Sequence, residues 1–311
     1  MTLKSLTWFS DLQVLGERSP EEIMHYLREV GDTRSLLPDD MEEKRRPNSF
    51  GRFGLLDDLF GKRLWRYTSH AFGYIAPHSP GTTEPKPIQH AGNIAPDETL
   101  RGKRLRVTLN WLRVADYPGS GQHRILFDFY ARNQSNGADT DLHFNATYRV
   151  EEGQEAGIRG HPIFVGVNVG NEGLALRCYT INVRNEGDEA FLNVLESDAF
   201  KQGLEITKRS QPVIKPFVEM AYGLTRALAG RNRNVPVQDV AFGLDFSTVP
   251  GSARLAEGAF IAVQIPDSLT AIWDWNDWVY DPVNGRMVGR HNRTDLIPFN
   301  YFVIGITRMT D

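Results

Sequence analysis

The sequence predicts a mainly β protein, an antiparallel two-sheet β-sandwich with one inserted α-helix and a small, partly helical N-terminal region. Three observations lead there. From residue 100 onward, apolar and polar residues alternate in a succession of short runs, the period of a strand with one buried face. Turn clusters, YPGSGQ, NQSNGAD, EEGQEAG and NEGDE, separate those runs, and short strands at such spacing read as a sandwich or barrel. Helical periodicity, by contrast, marks one stretch near the N-terminus and one inside the β region.

Composition bounds the partners. The chain has 311 residues, 41% hydrophobic and 24% charged, with a net charge of −4. That is an ordinary globular profile, and the small negative charge gives no general pull toward nucleic acid. The single cysteine, Cys178, cannot form an intramolecular disulfide, which points to a reducing, cytoplasmic setting. No run approaches the roughly 20 apolar residues of a spanning helix, and the N-terminus lacks the apolar core of a secretory signal.

The first helix is expected at 20 to 30. Ser19 suits its N-cap, Pro20 its first position and Glu22 a capping box, with Gly31 as the stop. A charged turn, MEEKRRPN, leads into Phe-Gly pairs at 50–51, 53–54, 60–61 and 72–73. Each pair reads as a glycine ending a short element whose phenylalanine is buried, or as an anchor of an arm docking on another subunit. Residues 77–99 are proline-rich and polar, a linker or surface loop between an N-terminal region (1–76) and a sandwich domain (100–311).

Strands follow in order. Leu105 to Trp111, Ile125 to Ala131, Leu142 to Val150 and Ile163 to Val169 each alternate. Leu174, Leu176 and Cys178 give way to Ile181 and Val183, a change of face that implies a bulge. Residues 212–229 carry Ile214, Phe217, Val218, Ala221, Leu224 and Leu228 at helical spacing, with Pro216 expected in the first turn. Arg231 and Arg233 follow that helix's C-terminus, where positive charge is favoured. Strands resume at 237–246 and 259–265, and 299–307, apolar on both faces, is expected at the centre of its sheet.

Residues 271–285, AIWDWNDWVYDPVNG, hold the densest group of candidate binding residues. If residues 272–280 are extended, Trp273, Trp275 and Asp277 share one face, while Asp274, Trp278 and Tyr280 share the other. Either the indoles fill a core, or they form an exposed aromatic platform rimmed by acids that stacks on a sugar or anchors a partner. Asp274, Asn276, Asp277, Asp281 and Asn284 are also oxygen donors of the kind calcium takes, about six to eight at a time, although their spacing differs from an EF-hand loop. No other cofactor is expected.

The sequence carries no G-x-S-x-G elbow, H-E-x-x-H, P-loop or G-x-G-x-x-G. Cys178 with His143 or His161 would make a thiol–base pair, but its place in an apolar strand reads as a buried thiol. Asp128 and Asp245 lie in apolar strands and are expected to face solvent. Arg101, Lys103, Arg104 and Arg106 with Lys208, Arg209, Lys215, Arg231 and Arg233 would form a positive face only if the fold gathers them.

Residues 105–134, LRVTLNWLRVADYPGSGQHRILFDFYARNQ, resemble in outline the opening of a C2-type β-sandwich: strand, glycine-rich loop, strand with an aromatic end. The resemblance implies a C2-like or jelly-roll-like sandwich, and a module that binds membranes through calcium held by loop aspartates or docks on proteins. The aspartate-rich element of calcium-binding members is missing, and Asp116 is the only acid in that loop.

The function expected is therefore non-catalytic: an intracellular interaction or assembly protein binding a partner protein or its own copies. The binding residues expected are Trp273, Asp274, Trp275, Asp277, Trp278, Tyr280, Arg231 and Arg233, with no catalytic residue. The alternatives are a peripheral membrane or ligand-binding module for lipid or carbohydrate, and a polymer hydrolase using Asp274 or Asp277.

Overall fold

A computed structural model describes residues 8–32, 63–77, 81–135, 138–195, 200, 202–206, 211–247 and 253–310. The phenylalanines Phe50, Phe53 and Phe60, the turn MEEKRRPN, and Lys208 and Arg209 lie outside the described residues. The first helix, α1 (Pro20–Glu29), has the expected start: the Ser19 side chain accepts from the Glu22 N–H, and Glu22 accepts from the Ser19 N–H. Ile23 and Leu27 are buried in the main core.

The chain is mainly β, with three sheets where the sequence predicts two. The strands are β1 (Ser69–Ile75), β2 (Lys86–Pro87), β3 (Gln89–His90), β4 (Arg104–Arg113), β5 (Gln122–Ser135), β6 (Ala138–Glu151), β7 (Glu155–Asn168), β8 (Gly173–Val183), β9 (Leu204–Glu205), β10 (Asn234–Asp245), β11 (Ala253–Arg254), β12 (Gly258–Ile265), β13 (Trp278–Asp281), β14 (Arg286–Gly289) and β15 (Tyr301–Arg308). A seven-stranded sheet runs β3-β1-β12-β15-β4-β7-β9, a five-stranded sheet β11-β10-β8-β5-β6, and a small third sheet β14-β13-β2. The expected central place of the last strand is observed, since β15 lies between β12 and β4. The proline-rich segment contributes β2 to the small sheet and β3 to the large one.

Alternation sorts the large sheet's residues onto two faces. Phe260, Ala262, Phe302 and Ile304 join the main core, whereas Ile261, Val263, Tyr301 and Val303 belong to a second apolar cluster on the other face. Across the main core the seven- and five-stranded sheets touch through Phe127 against Phe302, with ring centroids 5.9 Å apart, and Phe242 against Phe260 at 5.7 Å. The small sheet packs on the second cluster through Met287, joined by Trp275 from the turn before β13 and by the half-buried Trp278 and Tyr280.

Among the described residues, two further helices are α2 (Glu189–Leu195) and α3 (Gln211–Ala229). Helix α3 lies over β6, β5, β8 and β10 of the five-stranded sheet, burying Ile214, Val218, Ala221, Thr225 and Leu228. Pro216 falls inside this helix rather than in its first turn. It is exposed, so the missing N–H leaves a carbonyl that solvent can satisfy near the helix start. The change of face expected between Cys178 and Ile181 does not occur: β8 keeps unbroken register with β5 and is buried on both faces there, and the irregularity lies on β10, where Val237 is extra between Pro236 and Gln238. Phe72 and Gly73 do not end an element; they sit mid-strand in β1, with Phe72 only partly buried.

Candidate functional site

The aromatic–acidic stretch is not one strand. After β12, residues Asp267–Leu269 make a 3-10 turn, and Trp273 N–H donates to Leu269 O at 2.8 Å. The Asp274 side chain then accepts from the Asn276 N–H at 2.8 Å and starts a second 3-10 turn, Trp275–Asp277. That local cap competes with extended backbone, so strand geometry begins only at Trp278. The expected division of the indoles between two faces is therefore corrected. Trp273 packs edge-on against Trp275 (5.5 Å, 72°) and parallel to Trp278 (6.3 Å, 8°), with Phe299 against its other side at 5.7 Å.

Trp275 is core, 3% exposed, and its indole lies on Gly73 of β1, where a Cβ would stand 2.9 Å from the ring. Trp273, Trp278 and Tyr280 are half-buried, whereas Asp274 and Asp277 are exposed. At the rim Ile272 is 70% exposed, and Val283, in the β13–β14 turn, 67% exposed. The stretch is thus an appended module with an aromatic base, from which Ile272 before β13, Val283 after it, Asp274 and Asp277 are exposed.

The acids of the module are partly engaged locally. Asp281 accepts from Val283 N–H (3.0 Å) and from the Asn284 side chain (2.7 Å). Partial burial pushes its carboxyl up, but these hydrogen bonds and Arg286 outweigh that and hold it below the usual carboxylate range. Burial, with Asp281 beside it, raises the Tyr280 phenol. Among the described residues no group of three His, Cys, Asp or Glu side chains is close enough to hold a metal ion.

Arg231 and Arg233 lie apart from the aromatic module, at the exit of α3. Arg231 pairs with the buried Asp188 and covers the Phe191 ring at 5.2 Å, and Asn234 donates to the other Asp188 oxygen at 2.6 Å. Arg233 is held at φ 67°, its N–H directed to Glu29. An open cleft of about 430 Å³ separates this exit from α1, lined by Arg18, Glu21, Glu22, His25, Tyr26 and Arg231 among others. Of the other basic residues, Arg104 donates to Ile206 O at 2.7 Å and Arg101 pairs with Glu98 at 2.6 Å.

Cys178 is buried, and burial, reinforced by Asp128 and Asp239, pushes its thiol well up. His143 does not face it. Cys178 is opposite Phe129 whereas His143 is opposite Tyr130, so the two side chains leave opposite faces of the sheet.

The expectation that Asp128 faces solvent fails, because this sheet is covered on both sides. Asp128 is fully buried under α3 and the N-terminal segment. His143 Nδ1 sits 2.8 Å from its Oδ1, while Thr225 and Asn145 donate to its Oδ2 at 2.6 and 3.1 Å. Trp8 stacks over His143 (6.2 Å, 13°) and donates its indole N–H to Asp239 at 3.1 Å. Strand alternation alone gives no sign of this network; its one sequence signal is a carboxylate between two phenylalanines in LFDFY.

No protein-family model, curated protein or solved structure matches this chain.

Proposed function

We propose that this chain is a non-catalytic interaction or assembly protein that binds a protein partner, its own copies included, through the appended module. The carrying observation is the exposure of Ile272 and Val283, 70% and 67%, on a module whose base is fixed by Trp275. Large aliphatic side chains left exposed gain from being covered. Asp274 and Asp277 beside them suit a polar, charge-selecting rim. The finer architecture belongs to the same proposal: the seven- and five-stranded sheets form a C2-like or jelly-roll-like sandwich, and the small sheet is an addition to its outer face. A cytoplasmic setting fits the lone buried thiol.

Trp273 and Trp278, half-buried beside Ile272, also suit a lipid interface. Residues 267–281, however, contain four aspartates and no lysine or arginine, which an anionic leaflet repels. Sedimentation velocity of the full chain over a wide concentration range, beside co-sedimentation with phosphatidylserine vesicles, separates the two. Association that weakens on Ile272→Asp supports the proposal. Vesicle binding lost on Trp278→Ala, with no self-association and no protein partner, contradicts it.

A further inference from the structure

We propose that the appended module of one copy docks head to tail on the outer face of α2 and α3 of a second copy. This names the partner surface for the function proposed above and rests on that reading. The first observation is where apolar surface is left uncovered. The large hydrophobic side chains exposed among the described residues are Ile272 and Val283 on the module, and Phe191 (48%), Phe217 (44%) and Met220 (43%) on α2 and α3. Phe217 and Met220 are three apart on α3 and so share a face.

Charge is the second observation. Residues 267–290, which include the β13–β14 hairpin, carry Asp267, Asp274, Asp277 and Asp281 against Arg286 and Arg290, two more acids than bases. Residues 211–233, α3 and its exit, carry Lys215, Arg226, Arg231 and Arg233 against the single acid Glu219. Lys215 pairs with Glu219 and Arg226 with Asp11 on the same chain. These pairs are largely exposed and contribute little individually, and although Glu186 and Glu189 lie at α2 and Arg231 pairs with Asp188, α3 with its exit keeps more bases than acids, opposite to the module, which favours encounter. Arg231 stands at the end of α3 over Phe191, with the exposed Arg233 two residues further on, where an acidic rim would find them.

Geometry is the third. The module covers the face of the seven-stranded sheet that carries the second apolar cluster. Helix α3 lies on the five-stranded sheet, whose other face meets the seven-stranded sheet through Phe127 and Phe242. The two surfaces therefore sit on opposite sides of one chain and cannot satisfy each other within it. A contact between unlike patches is heterologous, and it grows into rings or filaments rather than stopping at a pair.

The test is sedimentation velocity of the full chain carrying Ile272→Asp, Phe217→Asp or Met220→Asp, with circular dichroism confirming that each variant is folded. The wild-type mass is expected to rise with concentration past two copies, and Ile272→Asp and Phe217→Asp each to weaken association about tenfold or more. An equimolar mixture of those two variants is expected to form pairs and stop there, because one intact module and one intact α3 face remain between them. If Ile272→Asp abolishes association while Phe217→Asp and Met220→Asp leave it unchanged, the acceptor surface is wrong but the module's role stands. A wild-type mass capped at two overturns the head-to-tail contact. A wild type that stays monomeric, or associates unaffected by Ile272→Asp, overturns the head-to-tail contact; the function proposed above falls only if no other protein binds the module either.

Discussion

Gly73 carries the weight of the appended module, and replacing it with alanine is the sharpest test of how that module is seated. A Cβ on Gly73 would stand 2.6 Å from Ile261 Cγ2, 2.8 Å from Ile88 Cγ2 and 2.9 Å from Trp275 Cη2. None of these atoms swings aside cheaply: both isoleucines are β-branched and stiff at χ1, and the third atom is the rim of a planar buried ring. Overpacking of this kind costs about 1–3 kcal/mol. Gly243 in β10 supplies the control, since a Cβ there meets no heavy atom within 4 Å. Alanine at that position is expected to be neutral or to stabilise by up to about 1 kcal/mol, through the unfolded state. The same methyl group thus acts with opposite sign at two strand positions. Urea unfolding of the full chain, followed by tryptophan fluorescence, reads both. A Gly73→Ala protein as stable as wild type would refute the seating of Trp275 on β1.

Trp275→Ala removes a buried indole at a cost of about 3–5 kcal/mol; hydrogen exchange should show protection lost in β13 and β14 while β5 and β8 keep theirs. Thr225→Val deletes a donor to the buried Asp128 without changing shape, and about 1–3 kcal/mol of stability should go with it in urea melts. Asp116, 8% exposed, accepts from Leu64 N–H at 2.8 Å, but burial, helped by Glu152 and Asp32, raises its pKa to about 6 from 3.8. The folded state therefore binds more protons than the unfolded one between those values, so this contribution is full below pH 3.8 and is lost as pH rises through about 6. Asp116→Asn should then stabilise the chain at pH 7, by on the order of 3 kcal/mol at most, and the advantage should vanish by about pH 4; an equal advantage at both pH values would contradict the assignment.

The strands were legible because one rule governs them: where one face is buried, the apolar residues keep period two, as in β4 at Leu105, Val107 and Leu109. Helix α1 was legible because Ser19, Pro20 and Glu22 act locally. What escaped is tertiary. Asp128 reads as outward from its own strand, and only α3 and Trp8, distant in sequence, make that face an interior. Pro216 looked like a helix boundary because the propensity penalty ignores Ile214 and the turn before it, which the main core holds in place. In the tryptophan stretch, alternation was the wrong period, since Asp274 caps a 3-10 turn and brings Trp273 and Trp278 together. The grouping of the candidate residues was not legible, and Arg231 and Arg233 belong to a different surface from the tryptophans.

The most direct measurement uses the chain's own economy of thiols. Cys178 is buried, so Ile272→Cys places one reactive sulfur at the outer edge of the module. Its rate of labelling by a maleimide, followed from dilute to concentrated protein or with a partner added, should fall as the edge becomes covered, while the same probe in place of exposed Gly243 labels at a constant rate. Equal rates for the Ile272 probe at every concentration and with every partner would mean that the edge is never covered, and the account of this protein as an assembly module would fall with it.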